Sequence, residues 1–314
     1  MSKIAFVFPG QGSQQVGMLQ LLADQYPEIN ETLTEASDAL SLDLRELIFT
    51  GPADVLNQTE NTQPALLASS VAIWRVWQSL GGTKPVFMAG HSLGEYSALV
   101  CAKSISLVDA VRLVRRRGQL MQAAVPEGQG AMAAVLGLDD NIVQQACDQA
   151  AEAGLVSPVN YNSPGQVVIA GQAAAVDKAI SEAEALGAKK VVKLSVSVPS
   201  HCELMKPAAE QLADVLSSID IAVPEISVVQ NVSGQIAETP EVIRTQLIEQ
   251  LYSPVQWVAT VNTMLAAEVD TIIECGPGKV LSGLNKRIQR KLQVSSLETP
   301  ELMSKMISST SVAV

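Results

Sequence analysis

A serine flanked by two glycines joins an apolar run to a helical segment, and this junction constrains the fold more than any other part of the sequence. Residues 85–89 form a short apolar run suited to a buried parallel strand, Gly90-His91-Ser92-Leu93-Gly94 follows, and residues 95–100 have a helical pattern. Small residues two before and two after the serine let a strand turn sharply into a helix, which leaves the hydroxyl at the apex. The pattern predicts a parallel α/β layer, although an inert serine in a glycine-lined turn has the same pattern.

The middle of the chain has a different succession of elements. We predict strands over residues 131–136, 155–160, 166–170 and 190–195, and helices over residues 140–153 and 173–186. The order βαββαβ is that of a ferredoxin-like unit. Because the apolar run 271–274 resumes the larger layer afterwards, we interpret this unit as an insertion.

These patterns divide the chain into a catalytic core and an inserted subdomain. The core is predicted to comprise residues 1–126 and 199–293, and the inserted subdomain residues 127–198. Residues 294–314 are rich in Ser and Thr, and we expect them to form a loosely ordered tail.

The composition excludes several classes of function. With 21 basic and 32 acidic residues the net charge is −11, and only 4% of residues are aromatic, so we expect no nucleic-acid binding. No apolar stretch is long enough to span a membrane, and the chain begins with a strand-like run instead of a signal peptide. The four cysteines lack CxxC spacing, which argues against a zinc site or a disulfide scaffold. We therefore expect a cytoplasmic protein without a metal site.

Ser92 needs a base, because a serine hydroxyl at its ordinary pKa is a poor nucleophile. The chain contains two histidines. His91 adjoins the serine, and adjacent residues across a sharp turn usually point apart. His201 is therefore the favoured base, although a lone histidine is more often structural than catalytic. No Asp or Glu is an obvious third member, so the sequence predicts a dyad of Ser92 and His201.

Arg117 projects from the middle of an apolar helix face. On a wheel of about 100° per residue, Ala110, Leu113, Val114, Leu120 and Met121 all fall within about 60° of it. A buried arginine is costly unless an anion pairs with it, and its planar fork suits a carboxylate. Two interpretations stay open: an internal ion pair with Asp or Glu, or a clamp for a substrate carboxylate.

Two clusters of basic residues stand out in this acidic chain. The first comprises Arg112, Arg115, Arg116 and Arg117, and the second comprises Lys286, Arg287, Arg290 and Lys291. Solvated helix faces account for most of such residues. An anionic substrate or partner would still need local positive potential, and we predict that residues of the second cluster line the rim of the site entrance.

Seven motifs, in this order, carry a resemblance to a known family over about residues 3–290. They are Phe8-Pro9-Gly10-Gln11-Gly12-Ser13-Gln14, Gly90-His91-Ser92-Leu93-Gly94-Glu95-Tyr96, Arg117-Gly118, Asn160-Tyr161-Asn162-Ser163-Pro164-Gly165-Gln166, Val198-Pro199-Ser200-His201, Gln250-Leu251-Tyr252-Ser253-Pro254-Val255 and Glu274-Cys275-Gly276-Pro277-Gly278. With them the chain resembles the malonyl-CoA–acyl carrier protein transacylases, the malonyl-loading enzymes of bacterial fatty acid synthesis.

The resemblance implies a role for each matching residue. Ser92 would take the malonyl group, and His201 would act first as base and then as acid, oriented by the main-chain carbonyl of Gln250. The main-chain N–H groups of Gln11 and Leu93 would form the oxyanion hole. Arg117 would pair with the malonyl carboxylate, and Gln11 and Asn162 would contact the substrate.

The resemblance also implies the wider properties of the protein. The fold class would be α/β, a hydrolase-like parallel-sheet core with an inserted ferredoxin-like (βαββαβ) subdomain. The partners would be malonyl-CoA, which is a substrate, and acyl carrier protein, and no cofactor is expected. Nothing in the sequence suggests an obligate dimer, so we expect a monomer.

Lys103 departs from the family pattern, because relatives often carry glycine after the helix that follows the serine. A left-handed turn at that position would cost about 1 kcal/mol for a residue with a side chain. The departure concerns the local turn and leaves the chemistry unaffected.

Three other functions are compatible with parts of the pattern. A serine hydrolase, such as an esterase or a patatin-like lipase, shares the glycine–serine turn but has no reason to keep a cation beside the nucleophile. A non-catalytic module that binds an acidic carrier protein would retain the turn as a relic. A polyketide-pathway acyltransferase would use a different extender unit, although Val198-Pro199-Ser200-His201 is more similar to the fatty-acid enzymes.

Overall fold

The chain forms two β-sheets in the part that the structure, a computed structural model, describes: residues 2–194 and 198–310. The strands are β1 Ile4–Phe8, β2 Phe87–Gly90, β3 Gly130–Leu136, β4 Val156–Ser163, β5 Gln166–Gln172, β6 Lys190–Lys193, β7 Ser227–Val229, β8 Thr271–Glu274 and β9 Gln293–Ser296. The α-helices are α1 Gln20–Ala23, α2 Pro27–Leu40, α3 Leu44–Phe49, α4 Ala53–Leu56, α5 Thr59–Ser79, α6 Leu93–Cys101, α7 Leu107–Ala124, α8 Asp140–Gln149, α9 Ala173–Ala185, α10 Lys206–Ser217, α11 Pro240–Glu249, α12 Trp257–Ala266, α13 Val280–Ile288 and α14 Pro300–Thr310.

The larger sheet is parallel throughout and has the order β7-β2-β1-β8-β9. Its central strand alternates between two apolar layers: Phe6 and Phe8 pack into one core cluster, while Ala5 and Val7 pack into another on the opposite face. Helices cover both faces, which is why the strand is buried along its whole length. The carboxyl ends of β1, β2 and β7 lie side by side, the edge at which open α/β sheets place their sites.

The smaller sheet is antiparallel and has the order β4-β5-β3-β6. With α8 and α9 packed on one face, this is the ferredoxin-like arrangement that the βαββαβ order predicts, so the expected fold class is confirmed. The fourth strand ends at Lys193, and residue 195 of its predicted range lies outside the described residues. The sheet spans residues 130–193, and the subdomain boundaries proposed at residues 127 and 198 remain predictions.

Strand β4 runs three residues past its predicted end, because it pairs with β5 as far as Ser163, and it also contacts the core. Asn160 forms a parallel bridge with Val255, and the Tyr161 N–H donates to the Val255 carbonyl at 3.0 Å. The Val255 N–H in turn donates to the Val159 carbonyl at 2.8 Å. These main-chain bonds tie the smaller sheet to the segment that follows α11.

The expectation of a loosely ordered tail from residue 294 is wrong for residues 294–310. Strand β9 pairs in parallel with β8, and helix α14 follows it. Met303 and Met306, three residues apart on one helix face, are buried against the main core. The Ser/Thr content is misleading because only one face of the segment contacts the core; residues 311–314 lie outside the described residues.

The turn after α6 has the left-handed conformation that makes a lysine unusual there. Lys103 has φ 60°, and the Ser104 N–H donates to the Leu99 carbonyl at 2.8 Å, which closes the helix end in the manner of a glycine cap. Lys103 Nζ also pairs with Glu225 at 3.0 Å, but both side chains are more than half exposed, so this ion pair contributes little.

We predict that Lys103→Gly stabilises the protein. The substitution removes a left-handed penalty of about 1 kcal/mol and sacrifices only an exposed ion pair. Urea unfolding should show a higher free energy of unfolding for Lys103→Gly than for Lys103→Ala, the matched control that loses the ion pair and keeps the penalty. Equal stability of the two variants would contradict a strained turn.

Candidate active site

Ser92 occupies the sharp turn between β2 and α6. Its backbone has φ 52° and ψ −107°, outside the regions that residues with side chains favour. Gly90 and Gly94 allow the turn, since a Cβ on Gly90 would overlap the Gly94 carbonyl and one on Gly94 would overlap the Phe8 carbonyl. Two amide side chains hold the serine backbone: its N–H donates to Asn231 Oδ1 at 2.7 Å, and its carbonyl accepts from Gln250 Nε2 at 3.0 Å.

His201 lies against the serine hydroxyl and the end of α11. Its Nδ1 is 2.6 Å from the Gln250 main-chain oxygen, and its Nε2 is 2.8 Å from Ser92 Oγ. Because a carbonyl can only accept, Nδ1 carries the proton and Nε2 is left to accept from the hydroxyl. The structure therefore brings together the serine, the histidine and the carbonyl that the sequence analysis grouped.

Burial keeps the His201 imidazole neutral. Desolvation, followed by the positive charge of Arg117, lowers its pKa to about 3. A neutral imidazole with a free Nε2 is the form that can take a proton from a serine hydroxyl at neutral pH.

Arg117 is buried beside the serine without a carboxylate partner. Its side chain is 2% exposed, and among the described residues it forms no ion pair. Its Nη1 donates to Gln63 Oε1 at 2.8 Å, and its Nη2 donates to Gln250 Oε1 at 3.0 Å and to Ser92 Oγ at 3.2 Å. Burial is the main cause of its lowered pKa. Of the two interpretations left open by the sequence, the internal ion pair is absent from the described structure.

The two residues predicted to supply the oxyanion donors line the same cavity as the serine. Gln11 follows β1, Leu93 begins α6, and both line the cavity with Ser92. Within residues 2–194 and 198–310, neither main-chain N–H has an acceptor. The Gln11 side chain contacts Thr59, which also lines the cavity, with Nε2 at 3.4 Å from the threonine Oγ1.

A cavity of about 210 Å³ lies between the core and the inserted subdomain. Its walls include Met132 and Val168 from the smaller sheet, and Leu281 and Leu284 from α13. Asn162 also lines it. The inserted subdomain thus supplies part of the cavity wall around Ser92.

The His91 ring contacts asparagine side chains of β4, and no hydrogen bond joins it to Ser92 among the described residues. Its Nε2 is 2.8 Å from Asn162 Oδ1, and its ring lies 5.6 Å from the Trp257 ring. Burial lowers its pKa, so this imidazole is neutral as well. The predicted substrate contact Asn162 therefore already has one hydrogen-bond partner.

Sequence analysis missed three residues that hold the site together. Gln63 contacts Arg117, Asn231 holds both Ser92 N–H and the Gly90 carbonyl, and Glu95 accepts from Gln250 Nε2 at 2.8 Å and from the Asn231 N–H at 3.0 Å. Asn231 comes just after β7, and only the order of the sheet places that strand beside β2. Glu95 falls within a quoted motif, but its spacing alone gives no sign of burial.

The two basic clusters have different surroundings. In the first, Arg112 and Arg115 donate to the carbonyls of Ala39 and Leu40 at the end of α2, so Arg117 alone faces the cavity. The second follows the cavity-lining part of α13, and all four of its residues are exposed. Arg287 donates to Gln166, which lines the cavity, but none of the four basic residues is itself a lining residue. Their place at the rim of the entrance therefore stays a prediction.

Two kinds of feature are absent from the described residues. None of their helices combines the length and the apolar character needed to cross a membrane. Nor do they contain a group of three or more His, Cys, Asp and Glu side chains placed to hold a metal ion.

The chain matches known proteins over almost its full length. Residues 5–311 match the family model of the acyl transferase domain. The malonyl CoA-acyl carrier protein transacylase of Escherichia coli K12 is 56% identical over 304 residues, which cover 97% of this chain and 98% of the relative. That of Bacillus subtilis is 49% identical over 302 residues, covering 96% of this chain and 95% of the relative.

Solved structures agree with these relatives. The structure of the malonyl CoA-acyl carrier protein transacylase from Coxiella burnetii has a TM-score of 0.98 and 47% identity, covering 99% of this chain and 98% of that one. A malonyl-transacylase solved in complex with a type II polyketide synthase acyl-carrier protein has a TM-score of 0.97 and 52% identity, covering 98% of this chain and 100% of that one. The chain belongs to the acyl transferase family and, within it, to the malonyl-CoA–acyl carrier protein transacylases.

Proposed function

We propose that the protein moves a malonyl group from malonyl-CoA to the pantetheine thiol of acyl carrier protein through a malonyl ester on Ser92. One observation carries this proposal: a buried guanidinium without a carboxylate partner contacts the serine hydroxyl at 3.2 Å. A buried cation that contacts no anion directly is costly, and a malonyl group on Ser92 would supply a carboxylate in direct contact with it. The names of the relatives, which act on malonyl-CoA and acyl carrier protein, support the same assignment.

The first half-reaction transfers malonyl to the enzyme. His201 Nε2 takes the Ser92 proton while Oγ forms a bond to the thioester carbon, and the carbonyl electrons move onto oxygen. The N–H groups of Gln11 and Leu93 donate to this oxyanion, a type of contact worth about 3–4 kcal/mol for each donor. When the oxyanion collapses, the C–S bond breaks, and the imidazolium gives its proton to the departing sulfur of coenzyme A.

The second half-reaction reverses these steps with a different thiol. His201 takes the proton of the pantetheine thiol, the sulfur attacks the malonyl ester, and the same N–H groups hold the new oxyanion. Collapse breaks the bond to Ser92 Oγ, and the imidazolium returns a proton to the serine. The products are malonyl-carrier protein and the free enzyme, so the cycle is ping-pong and needs no cofactor.

Arg117 selects the acyl group through its fork of N–H donors. A guanidinium binds a carboxylate with two parallel hydrogen bonds, a geometry that an acetyl group cannot use. Asn162 and Gln11 are proposed to contact the substrate from the cavity wall, with Gln11 acting through its main chain. An esterase or patatin-like lipase gains nothing from a buried cation at this position, so the site favours transfer of malonyl over general hydrolysis.

We expect intact-protein mass spectrometry to show a single malonyl adduct on Ser92 after mixing with malonyl-CoA. Addition of carrier protein bearing its pantetheine arm should move the adduct to the carrier thiol, and Ser92→Ala should form no adduct. An adduct released only to water would instead favour the hydrolase. A folded protein that forms no adduct would favour the non-catalytic carrier-binding module.

We expect Arg117→Ala to lower kcat/KM for malonyl transfer by about a hundred- to a thousand-fold, because the malonyl carboxylate is then buried without its partner. Acetyl transfer should be retained or improved. Steady-state kinetics with both thioesters check this, and Arg116→Ala, an exposed neighbour on the same helix, is the matched control. Equal loss of both activities would contradict a carboxylate clamp.

The second basic cluster is proposed to guide the carrier protein. The chain has a net charge of −11, so an acidic carrier is repelled unless positive charge lies near the entrance. Arg287, which donates to the cavity residue Gln166, would supply such charge together with its exposed neighbours Lys286, Arg290 and Lys291. The relative that was solved in complex with an acyl-carrier protein supports carrier binding. The transfer chemistry is the same if the carrier of this protein also serves a polyketide pathway.

We expect the pair Arg290→Glu and Lys291→Glu to raise KM for the carrier protein about tenfold at low salt, since charge steering is screened as salt rises. Malonyl loading from a short uncharged malonyl thioester should not change. The control pair Lys84→Glu and Lys305→Glu makes the same net charge change on exposed lysines that do not line the cavity. Unchanged carrier kinetics would mean that the cluster is ordinary solvated surface.

Cytoplasmic location and a monomeric state complete the proposal. Both are expectations of the sequence analysis. They fit an enzyme that exchanges a diffusing thioester with a diffusing carrier protein.

A further inference from the structure

Glu95 is a buried carboxylate directly behind the serine turn. It lies in the first turn of α6 and is 1% exposed. Its Oε2 accepts from Gln250 Nε2 at 2.8 Å and from the Asn231 N–H at 3.0 Å. Its Oε1 has no hydrogen-bond partner among the described residues. Glu95 Oε2 therefore accepts both hydrogen bonds, and Oε1 is the oxygen that can be protonated.

The Gln250 side chain connects this carboxylate to the substrate cation. Its Nε2 donates to Glu95, and its Oε1 accepts from Arg117 Nη2 at 3.0 Å. The two neighbours fix the amide orientation, because a carboxylate can only accept and a guanidinium can only donate. In the free enzyme, Glu95 is thus the counter-charge of Arg117, one amide group away.

A malonyl carboxylate would change the net charge of the site formed by Glu95 and Arg117. Bound directly to Arg117, it would bring a second anion to a buried site that holds one cation, and the site would carry a net negative charge in a poorly solvated interior. A proton on either carboxylate restores neutrality. The malonyl carboxylate touches the guanidinium and stays ionised, whereas Glu95 is one amide removed and has an oxygen free for protonation.

We propose that Glu95 is a positioning residue that sets the charge of the malonyl site: it is ionised in the free enzyme above neutral pH, and it takes up a proton when a malonyl carboxylate binds Arg117. This inference rests on the proposed function, because it needs malonyl at Arg117. Because binding of malonyl then includes the uptake of a proton, malonyl binds more weakly as the pH rises. The binding of an acetyl group does not depend on pH in this way.

The other titratable groups near Glu95 stay in one protonation state around neutral pH. Burial raises the pKa of Tyr96 to about 12, so the phenol remains protonated. The pKa of His201 is lowered to about 3, and burial also lowers that of His91, so neither imidazole gains a proton. Burial raises the pKa of Glu95 itself to about 7, opposed by the bonds from Gln250 and Asn231 and by the charge of Arg117. A second anion at Arg117 raises it further.

Proton uptake is measured by calorimetric titration in buffers of different ionisation enthalpy. All proteins carry Ser92→Ala, so that malonyl-CoA binds without reacting, and acetyl-CoA is the control that has the same coenzyme phosphates and lacks the carboxylate. At about pH 8 we expect the protein to take up over half a proton more when it binds malonyl-CoA than when it binds acetyl-CoA. The affinity for malonyl-CoA should fall up to about tenfold per unit rise in pH. Adding Glu95→Gln, which mimics the protonated carboxyl, should abolish the excess proton uptake. It should also remove the pH dependence of the affinity for malonyl-CoA.

Infrared difference spectra test the same proposal without the Glu95→Gln variant. Malonyl-CoA binding to the Ser92→Ala protein should produce the C=O band of a protonated, buried carboxyl group, and acetyl-CoA binding should not. Equal proton counts for the two thioesters, or excess uptake that survives Glu95→Gln, would overturn the inference and leave malonyl binding intact. If malonyl-CoA bound no more tightly than acetyl-CoA below pH 7, and Arg117→Ala did not weaken it, the proposed function itself would fail.

Discussion

The site depends on a backbone turn that a serine would not adopt on its own. A residue with a side chain held at the φ and ψ of Ser92 costs about 1–3 kcal/mol, and such strain persists only where its surroundings over-determine it. Here Asn231 and Gln250 hold the N–H and the carbonyl of the serine, and Gly90 packs its bare Cα against Gly94. The turn places Ser92 and Leu93 together in the wall of one cavity.

A single buried cation governs the electrostatics of that cavity. Arg117 is surrounded by the amides of Gln63 and Gln250, which accept its hydrogen bonds without neutralising its charge. Its positive charge adds to burial in lowering the pKa of the His201 imidazole. In the proposed mechanism the same guanidinium therefore affects both the choice of acyl group and the protonation state of His201. Glu95, which is one amide group away, is the carboxylate that we propose balances this charge in the free enzyme.

The parts of the fold with local signals could be read from the sequence. The apolar run before Gly90 predicts β2, and the βαββαβ order predicts the smaller sheet, because both depend on neighbouring residues. Arg117 could be placed on a buried face because helical spacing is local as well. Asn231 could not be found in this way, since its position depends on the pairing of β7 with β2 across a large sequence separation. The tail was misjudged because its pairing partner, β8, lies outside the segment.

By itself, the sequence determined which chemical groups the site could use: a serine on a glycine-flanked turn, a scarcity of histidines that left His201 as the predicted base, and an arginine on an apolar helix face. It also determined the family, because seven motifs stand in a fixed order. The tertiary structure decided whether the arginine had an internal partner, which amides hold the turn, and that Glu95 is buried. Those outcomes depend on distances between side chains far apart in the chain, and such distances exist only once the sheet order and the helix packing bring the segments together.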